Sequence, residues 1–365
     1  STTVFSFYTM LSRVLGYFRD ILIAIFLGTS VYADAFFVAF RLPNTFRRLF
    51  AEGTFNAAFI PSYTSEKIKS KAQGKRFADE VLTLLTLGLF AIVLIVEIFT
   101  PYVVYLIAPG FIEDNTKFNL AVDLTRITFP FLAFVSLASF FAGILNSENK
   151  FAAAAAAPIF LNLILILALV ISYYFKLDFA LNLSYGVSLS GFIQLVFLIF
   201  FASKYYKPSL ILKNKIRQKV KFFLKKLLPS IFSSGVMQIS ILVGTIIASF
   251  QSGAVSYLYY ADRVYQINLA IAGIAVSTVS LPILSKLIKD KKTNQVNKIQ
   301  NKSLELSLLL SLPASIALII GSEEIVSALF GYGSFTEKDI EQTSLALKYF
   351  GYGIPAFAIL KVFAN

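Results

Sequence analysis

The stretch SRVLGYFRD at residues 12–20 places two arginines and an aspartate inside a run that otherwise has the apolar character of a membrane span. An ionised side chain near the centre of a bilayer costs roughly 2.5–3.5 kcal/mol of free energy, so such charges usually have a function. The next apolar run carries five more charged side chains: Asp34, Arg41, Arg47, Arg48 and Glu52. Cations predominate in the two runs together, and the pattern therefore predicts a water-filled cavity that binds an anionic ligand.

The composition is that of a membrane protein. Of the 365 residues, 57% are hydrophobic and only 15% are charged, and the mean hydropathy is +0.74. Apolar runs of about 20 residues recur from end to end, long enough to cross a hydrocarbon core of roughly 30 Å. Backbone groups in lipid must be hydrogen-bonded within the segment, and barrel strands would appear as short alternating segments. We therefore expect an all-α polytopic membrane protein.

The residue types that are absent narrow the possible functions. The sequence contains no cysteine, histidine or tryptophan, which excludes disulfides, thiol nucleophiles and Cys/His metal sites within it. Because histidine, the usual general base, is absent, an enzyme would have to rely on Asp, Glu, Lys or Tyr, which weighs against an enzyme. The formal net charge of +13 is concentrated in particular loops, as the positive-inside rule predicts, which argues against a nucleic-acid-binding protein.

The hydropathy pattern predicts ten spans, at residues 5–28, 33–63, 78–108, 118–146, 152–175, 180–203, 227–250, 254–285, 303–330 and 338–364. The connections after even-numbered spans are rich in Lys and Arg, as at 66–76 and 286–302. The connections after odd-numbered spans, such as 28–33, carry few cations or none. The positive-inside rule therefore places the N-terminus and the even-to-odd connections in the cytoplasm.

The basic segment at residues 204–226 also predicts a domain boundary. It holds nine Lys and Arg residues and no acidic residue, and its cations alternate with apolar residues such as Val220 and Phe223. Two interpretations stay equally open: an amphipathic helix on anionic lipid, or a plain cytoplasmic linker with topogenic charge. The predicted domains are an N-lobe at 1–203 with spans 1–6, this linker, and a C-lobe at 227–365 with spans 7–10.

A long-period repeat relates the two predicted lobes. Arg41 and Arg263 are each followed by a proline 19 or 20 residues later. Phe111 and Phe335 each follow a glycine-containing loop, and a proline again lies 19 or 20 residues later. Corresponding residues are offset by 221 to 225 positions. Six spans fit in one period, so the two copies are parallel, which is typical of transporters with substrate between their halves. The second copy reaches Asn365 after four of six expected spans, so we expect a truncated second lobe.

Helical phase separates the two arginines of the first span. Arg13 and Asp20 are seven residues apart and share one face, whereas Arg19 lies about 240° around the helix from Arg13. Gly16 lies between the arginines and permits a bend. If both arginines face one cavity, the span must deform near Gly16.

In the second span, charged side chains recur every seven residues, at Asp34, Arg41 and Arg48. Pro43 interrupts this stripe, so the phase does not decide whether Arg47 or Arg48 faces the cavity. Ion pairing or snorkelling is the favoured interpretation of three cations: Arg41, Arg48 and Lys361.

The remaining charged residues divide into a structural and a functional group. Arg126 and Asp123 are expected to form a structural pair. A functional interpretation is favoured for Arg13, Arg19 and Arg263, because planar guanidinium groups bind phosphate oxygens in a bidentate manner and several of them suit a pyrophosphate. By themselves these residues specify no more than an anionic headgroup.

Six motifs together resemble the MurJ (MviN) family of the MOP exporter superfamily: SRVLGYFRD at 12–20, ADAFFVAFRLPN at 33–44, RRLFAEG at 47–53, ITFP at 127–130, GILN at 143–146 and YYADR at 259–263. The resemblance implies a flippase that moves lipid II, the undecaprenyl-pyrophosphate-linked peptidoglycan precursor, from the cytoplasmic to the periplasmic leaflet by alternating access. It also implies two six-helix lobes around a cationic cavity, followed by two helices for the lipid tail that this chain does not include.

The resemblance assigns roles to individual residues. Six fall at substrate-binding positions: Arg13, Arg19, Asp20, Asn44, Arg47 and Arg263. Three fall at gating positions: Asp34, Glu52 and Ser256. The implied partners are lipid II and membrane lipids, without nucleic acid, metal or cofactor. The implied setting is a monomer in the bacterial inner membrane that serves peptidoglycan biosynthesis and cell shape.

Two other functions stay open. A cation-coupled multidrug exporter, or an exporter of other lipid-linked oligosaccharides, would have the same superfamily fold. A drug exporter would favour carboxylates over clustered arginines, because its substrates are cationic. A membrane transferase that acts on polyprenyl phosphates would need a catalytic carboxylate pair, and the sequence shows no dense acidic motif of that kind.

Overall fold

The computed structural model describes the backbone of residues 2–51, 54–209, 217–269, 284, 286–290 and 293–363. Side chains are described for these residues apart from 2–3, 46–51, 54, 228, 230–237 and 293. Within these ranges the structure is helical and contains no strand. The all-α fold class predicted from hydropathy is therefore confirmed.

The described α-helices are numbered here in chain order. They are α1 Thr2–Leu27, α2 Val31–Ala51, α3 Thr54–Lys69, α4 Lys71–Ile98, α5 Thr100–Ile107, α6 Asn115–Thr128, α7 Phe131–Ser147, α8 Phe151–Phe175, α9 Phe179–Ala202, α10 Gln218–Ala248, α11 Ala254–Leu269, α12 Thr293–Ile320, α13 Ser322–Phe330 and α14 Glu337–Phe363. A short 3₁₀ helix, Pro109–Glu113, connects α5 to α6.

Six stretches in the described part of the chain are long and apolar enough to cross a membrane: Lys71–Ile98, Asn115–Ser147, Phe151–Phe175, Phe179–Ala202, Asn294–Ile320 and Glu337–Phe363. Helices α1 and α2 are not among them, because charged residues interrupt their apolar sequences. The long apolar helices fit the predicted polytopic membrane protein.

The third predicted span differs from the observed helices at both ends. Helix α4 begins seven residues before the predicted span, because the Ser70 hydroxyl accepts a hydrogen bond from the Gln73 N–H and caps the helix. The predicted span continues to residue 108, but α4 ends at Ile98 and α5 begins at Thr100, with Pro101 in its first turn. Proline is favoured at that position because it lacks the N–H that a helix start leaves unbonded.

The chain divides into two compact units. Unit 1 comprises Ser1–Ile23 and Ser30–Ser252, and unit 2 comprises Ala24–Thr29 and Gly253–Asn365. The turn between α1 and α2 therefore belongs to unit 2, although the bodies of both helices belong to unit 1. Helix α10, which the sequence assigns mostly to the C-lobe, belongs to unit 1.

A cluster of phenylalanines explains the placement of α10 in unit 1. The ring of Phe59 in α3 lies 5.0 Å from the ring of Phe140 in α7 and 6.2 Å from that of Phe77 in α4, measured between centroids. Phe223 of α10 completes the cluster, 6.3 Å from Phe59 and 5.9 Å from Phe77. Val220, one turn earlier on the same face of α10, is fully buried as well. The first turns of α10 thus form part of the core of unit 1.

The basic segment before and within α10 is anchored to α4. Tyr206 donates a hydrogen bond to the Asp79 carboxylate at 2.6 Å, and the Ser209 N–H donates to the same oxygen at 3.0 Å. Eight residues later, Arg217 pairs with Glu80 at 2.8 Å. Residues 210–216 of the predicted linker lie outside the described part of the chain. The described remainder is held against unit 1 at both ends.

The apolar face of the basic segment is covered by protein. Val220 and Phe223 are buried in the core of unit 1, whereas the cations of the same turns are exposed: Lys219, Lys221, Lys225 and Lys226. An amphipathic helix that lies on a membrane needs its apolar face for the lipid. Here that face packs against α3 and α4, and the basic face is the one left exposed.

Unit 2 is built around α14. Gly351 lets α12 approach α14, since a Cβ at this position would lie 3.2 Å from Leu318 and from Ile319. The Ser315 hydroxyl donates a hydrogen bond to the Gly351 carbonyl at 2.8 Å. The small residue and the hydroxyl together bring these two apolar helices into direct contact.

Candidate functional site

The first arginine site lies in unit 1 around Arg19 on α1. Arg19 and Asp20 are almost fully buried, with exposed fractions of 3% and 1%. The Arg19 guanidinium donates to Asp20 Oδ1 through Nε at 3.0 Å and through Nη2 at 2.6 Å. Because an unpaired buried charge would be costly, the adjacent carboxylate neutralises the arginine and fixes its orientation.

Asn162 of α8 supports the same guanidinium. Its side-chain oxygen accepts a hydrogen bond from Arg19 Nη1 at 2.9 Å, and its amide nitrogen donates to the Ser12 carbonyl at 2.8 Å. A Cβ on Gly16 would lie 3.4 Å from the Asn162 side chain. Gly16 therefore lies directly against Asn162, at a distance that a methyl group would still fit but a large side chain would not. The sequence does not single out Asn162, since one amide in an apolar span gives no signal of its own.

The two arginines of α1 lie in different environments. Helix α1 continues through Gly16, Arg13 is exposed and Arg19 is buried. This difference agrees with the angular separation that helical phase predicts. Asn44 of α2 is half-buried, and α2 continues through Pro43.

A buried ion pair joins α2 to α6 in unit 1. Lys117 Nζ lies 2.6 Å from Asp34 Oδ2, and the exposed fractions of the two side chains are 6% and 0%. The same ammonium lies 4.2 Å from the centre of the Phe111 ring. Asp114 caps α6 and accepts hydrogen bonds from the Thr116 and Lys117 N–H groups. Lys117 is a second site residue that the sequence does not single out, since its place in the first turn of α6 does not indicate a partner in α2.

A second arginine site lies in unit 2. Arg263 on α11 is half-buried, its Nη2 donates to the Tyr259 hydroxyl at 3.0 Å, and the centre of its guanidinium lies 5.0 Å from the centre of the Tyr259 ring. A cation–π contact with an aromatic ring helps to orient a guanidinium. Asp262, its neighbour, accepts a hydrogen bond from Gln266.

Ser256 is fully buried in the first turn of α11. Tyr260, one turn later, donates a hydrogen bond to the Gly28 carbonyl at 2.9 Å. Ser256 therefore lies on the helix that holds the turn between α1 and α2. Two other predicted residues cannot be placed: the side chain of Arg47 and the whole of Glu52 lie outside the described residues, as does the side chain of Arg48.

The structure brings some of the predicted site residues together. Arg19 and Asp20 form one site, whereas Arg13, Asn44 and Asp34 occupy other positions in unit 1. Arg263 and Ser256 belong to unit 2. That these side chains line one central cavity stays a prediction.

The cations interpreted as structural have modest surroundings. Arg126 lies 4.0 Å from Asp123, and both side chains are exposed, so this pair contributes little to stability. Lys361 lies 5.4 Å from the Phe357 ring, and Arg41 is half-buried in α2. Among the described residues, no group of three or more Asp or Glu could hold a metal ion.

Comparison with known proteins gives the evolutionary context. A family model described as "Lipid II flippase MurJ" matches residues 23–365. A probable lipid II flippase MurJ from Rhizobium meliloti (strain 1021) is 42% identical over 361 residues, which are 97% of this chain and 67% of the relative. The corresponding protein of Rickettsia prowazekii (strain Madrid E) is 39% identical over 363 residues, which are 99% of this chain and 71% of the relative. The chain thus spans about two thirds of the length of these relatives.

Solved structures show the same relationship. The structure "Lipid II flippase MurJ, inward closed conformation" has a TM-score of 0.87 at 29% identity, covering 99% of this chain and 75% of that chain. The structure "Crystal structure of MATE in complex with MaD3S" has a TM-score of 0.63 at 15% identity, covering 98% of this chain and 77% of that chain, which shows a common fold alone. The resemblance inferred from the six motifs is confirmed. The protein is a multi-pass membrane transporter rather than an enzyme, and it belongs to the lipid II flippase MurJ family.

Proposed function

We propose that this protein moves lipid II from the cytoplasmic to the periplasmic leaflet by alternating access. The observation that carries the proposal is the Arg19 site, a buried guanidinium in the first predicted span, oriented by Asp20 on one side and by Asn162 on the other. An ionised side chain within a bilayer costs free energy, and binding of a pyrophosphate headgroup would explain why this one is present. Membership of the flippase family supports the same assignment.

The proposed chemistry is exchange of anionic partners. In the structure, Asp20 accepts two of the Arg19 N–H donors through one oxygen. A pyrophosphate offers several pairs of oxygens that the planar guanidinium of an arginine can bind in a bidentate manner, and it carries more charge than a carboxylate. Lipid II would therefore compete with Asp20 for Arg19, and Asp20 would neutralise Arg19 again once the lipid has left.

Further residues extend this site in the proposal. Arg13, Arg47 and Arg263 add positive charge for the headgroup, and Asn44 adds a neutral polar contact. The Tyr259 ring holds Arg263 in a defined orientation, which supports a role in binding. Asp34, Glu52 and Ser256 are proposed gating residues, and the burial of Asp34 against Lys117 supports a conformational role for it.

Topology and environment complete the proposal. The N-terminus and the basic loops lie in the cytoplasm, with the inner membrane of a bacterium as the location and membrane lipids as neighbours. The protein acts as a monomer. Its functional lobes are residues 1–203 and 227–365, joined by the basic segment 204–226.

Charge reversal tests the function. Lipid II translocation is measured in proteoliposomes that contain the intact protein, the Arg263→Glu variant or the Arg126→Glu variant. Arg263→Glu is expected to lower the rate at least about tenfold, because a charge-assisted contact of about 1.5–3 kcal/mol becomes a repulsion. Arg126→Glu is the matched control, since Arg126 is exposed. Full activity of Arg263→Glu, or equal losses in both variants, would contradict the proposal.

A further inference from the structure

The last residues of α1 and the start of the turn that follows it, residues 24–29, are bound to the rest of unit 2 by hydrogen bonds to three segments. The Ser334 N–H donates to the Ile25 carbonyl at 2.8 Å. Tyr260 donates to the Gly28 carbonyl at 2.9 Å, and Thr29 donates to Asp339 Oδ1 at 2.5 Å. The first bond uses a carbonyl in the last turn of α1, which a helix terminus otherwise leaves unbonded, and the second uses the carbonyl of the residue that follows the helix.

Two glycines allow this approach between main chains. Gly28 and Gly333 both have positive φ, at +56° and +63°. A Cβ on Gly28 would collide with the Ser334 carbonyl, and a Cβ on Gly333 would collide with the Ile25 carbonyl. The turn and the loop at 331–335 therefore pack backbone against backbone, and no other residue type fits at either glycine without a shift.

Asp339 links this contact to α14. Its carboxylate is buried and also accepts a hydrogen bond from the Thr336 N–H at 2.8 Å, which caps the helix. The Tyr257 hydroxyl lies 3.5 Å from the same carboxylate oxygen that Thr29 binds. One carboxylate thus serves both the start of α14 and the turn that follows α1.

A matching contact occurs in unit 1. The Gly110 N–H donates to the Ser249 hydroxyl at 3.0 Å, at the end of α10. A Cβ on Gly110 would collide with the backbone of Ser249 and Phe250. As in unit 2, a glycine in the loop before a long helix packs against the end of a membrane helix.

The two contacts are related by the sequence repeat. Gly110 and Gly333 are 223 residues apart, and Gly28 and Ser249 are 221 residues apart, within the offset of the repeat. The glycine loop of the first repeat therefore holds the end of α10, which begins the second repeat. The glycine loop of the second repeat holds the end of α1, which begins the first. Each repeat thus contacts the first helix of the other repeat. The arrangement is a property of both repeats, because each contact has its own glycine and its own hydrogen bond.

We propose that these contacts are a pair of latches that open during each transport cycle, and that Asp339 is the positioning residue of the latch at the α1–α2 turn. The inference rests on the proposed alternating access and adds residues to the gate beyond Asp34, Glu52 and Ser256. Both latches lie at the ends of odd-numbered spans, which the proposed topology places on the periplasmic side. A contact that closes that side has to separate when the cavity opens towards it.

Cysteine cross-linking tests the latch, because this chain contains no native cysteine. In the intact protein, Thr29→Cys and Asp339→Cys are combined and joined by a short bifunctional thiol reagent that a reductant can cleave. Lipid II translocation is expected to fall at least tenfold on cross-linking and to return on reduction. The matched control combines Lys67→Cys with Glu148→Cys, which replaces an ion pair inside unit 1 that is not part of a latch. Its cross-linking is expected to leave the rate unchanged.

Transport by the cross-linked Thr29–Asp339 pair at the rate of its reduced form would overturn the latch. Failure of the unmodified protein to transport lipid II would instead contradict the proposed function, so the two failures are distinguishable. Hydrogen exchange decides the matter if the reduced double variant is inactive. In the unmodified protein, addition of lipid II should speed hydrogen exchange of the Ser334 amide. The Thr29→Val variant should show the same faster exchange without lipid. The Thr29→Ser variant, which keeps the hydroxyl, should keep the amide protected. Unchanged exchange in both cases would overturn the inference.

Discussion

The Lys117 ammonium lies 2.6 Å from the Asp34 carboxylate, and both side chains are almost fully buried. The two residues are 83 positions apart in the sequence, on α6 and α2. Removal of one partner from a buried pair leaves an uncompensated charge, which costs about 3–5 kcal/mol. This pair is therefore a structural requirement of unit 1 as well as a constraint on a proposed gating residue.

Lys117→Met is expected to destabilise the protein by about 3–5 kcal/mol, for the reason just given. The double variant Asp34→Asn with Lys117→Met should recover part of the loss, because it leaves no unpaired charge. Unfolding in detergent, followed by circular dichroism, measures both effects. Lys150→Met serves as the control, since Lys150 is exposed. A loss below about 1 kcal/mol for Lys117→Met would show that the pair does not persist.

Gly16→Ala is expected to keep transport, because the added Cβ would make only an ordinary contact of 3.4 Å with Asn162. Alanine also favours a helix by up to about 1 kcal/mol over glycine. Gly16→Leu should instead displace Asn162 from Arg19 and lower lipid II translocation several-fold. Loss of transport in Gly16→Ala would show that the bend considered from the sequence is needed in the cycle.

Phe223→Ala is expected to destabilise unit 1 by about 3–5 kcal/mol, because it leaves a cavity among the rings of α3, α4 and α7. Its neighbour supplies a matched control: Phe223 is 1% exposed and Phe222 is 55% exposed. Phe222→Ala should have an effect within about 0.5 kcal/mol. The comparison uses thermal unfolding, and equal effects would contradict the packing of α10 in unit 1.

Tyr206 links the basic segment to α4 and lies beyond the end of α9. Burial, followed by the hydrogen bond to Asp79, raises the pKa of its phenol above the ordinary value of about 10. The folded state therefore holds this proton more tightly than the unfolded state. The resulting stability is complete below pH about 10 and declines as the pH rises above that value. Tyr206→Phe should remove this alkaline component and cost about 1–2 kcal/mol at neutral pH. Unfolding between pH 7 and 11 measures both effects, and identical alkaline profiles would contradict the assignment.

The sequence predicts the helices where composition alone decides them. Helices α8 and α9 agree with the predicted spans at 152–175 and 180–203 within a residue or so. The sequence does not predict the start of α4, because Lys71, Lys75 and Arg76 are typical of a basic loop and the pairing of Lys75 with Asp79 appears only in the folded chain. Helix α10 was assigned to the second lobe because charge dominates residues 204–226, and the burial of Phe223 depends on distant phenylalanines.

Only some residues of the candidate site can be predicted from the sequence. The cost of an intramembrane charge singles out Arg19, and adjacency suggests Asp20 as its partner. Asn162 and Lys117 lie 143 and 83 residues from the side chains that they bind. Helical periodicity reports which face a residue occupies but not which helix packs there, so contacts at such separations appear only in the folded chain.

The central claim is that arginines of this protein bind a pyrophosphate, and lipid binding tests it most directly. The affinities for undecaprenyl pyrophosphate and for undecaprenyl phosphate are measured with the unmodified protein, with Arg19→Lys and with Arg263→Lys. Arg126→Lys is the control. Lysine keeps the charge but lacks the planar fork. We predict that the pyrophosphate lipid binds more tightly and that each of the first two variants loses about tenfold in its affinity for that lipid, equivalent to about 1.4 kcal/mol. Equal affinities for the two lipids, or unchanged affinities in both variants, would contradict the account.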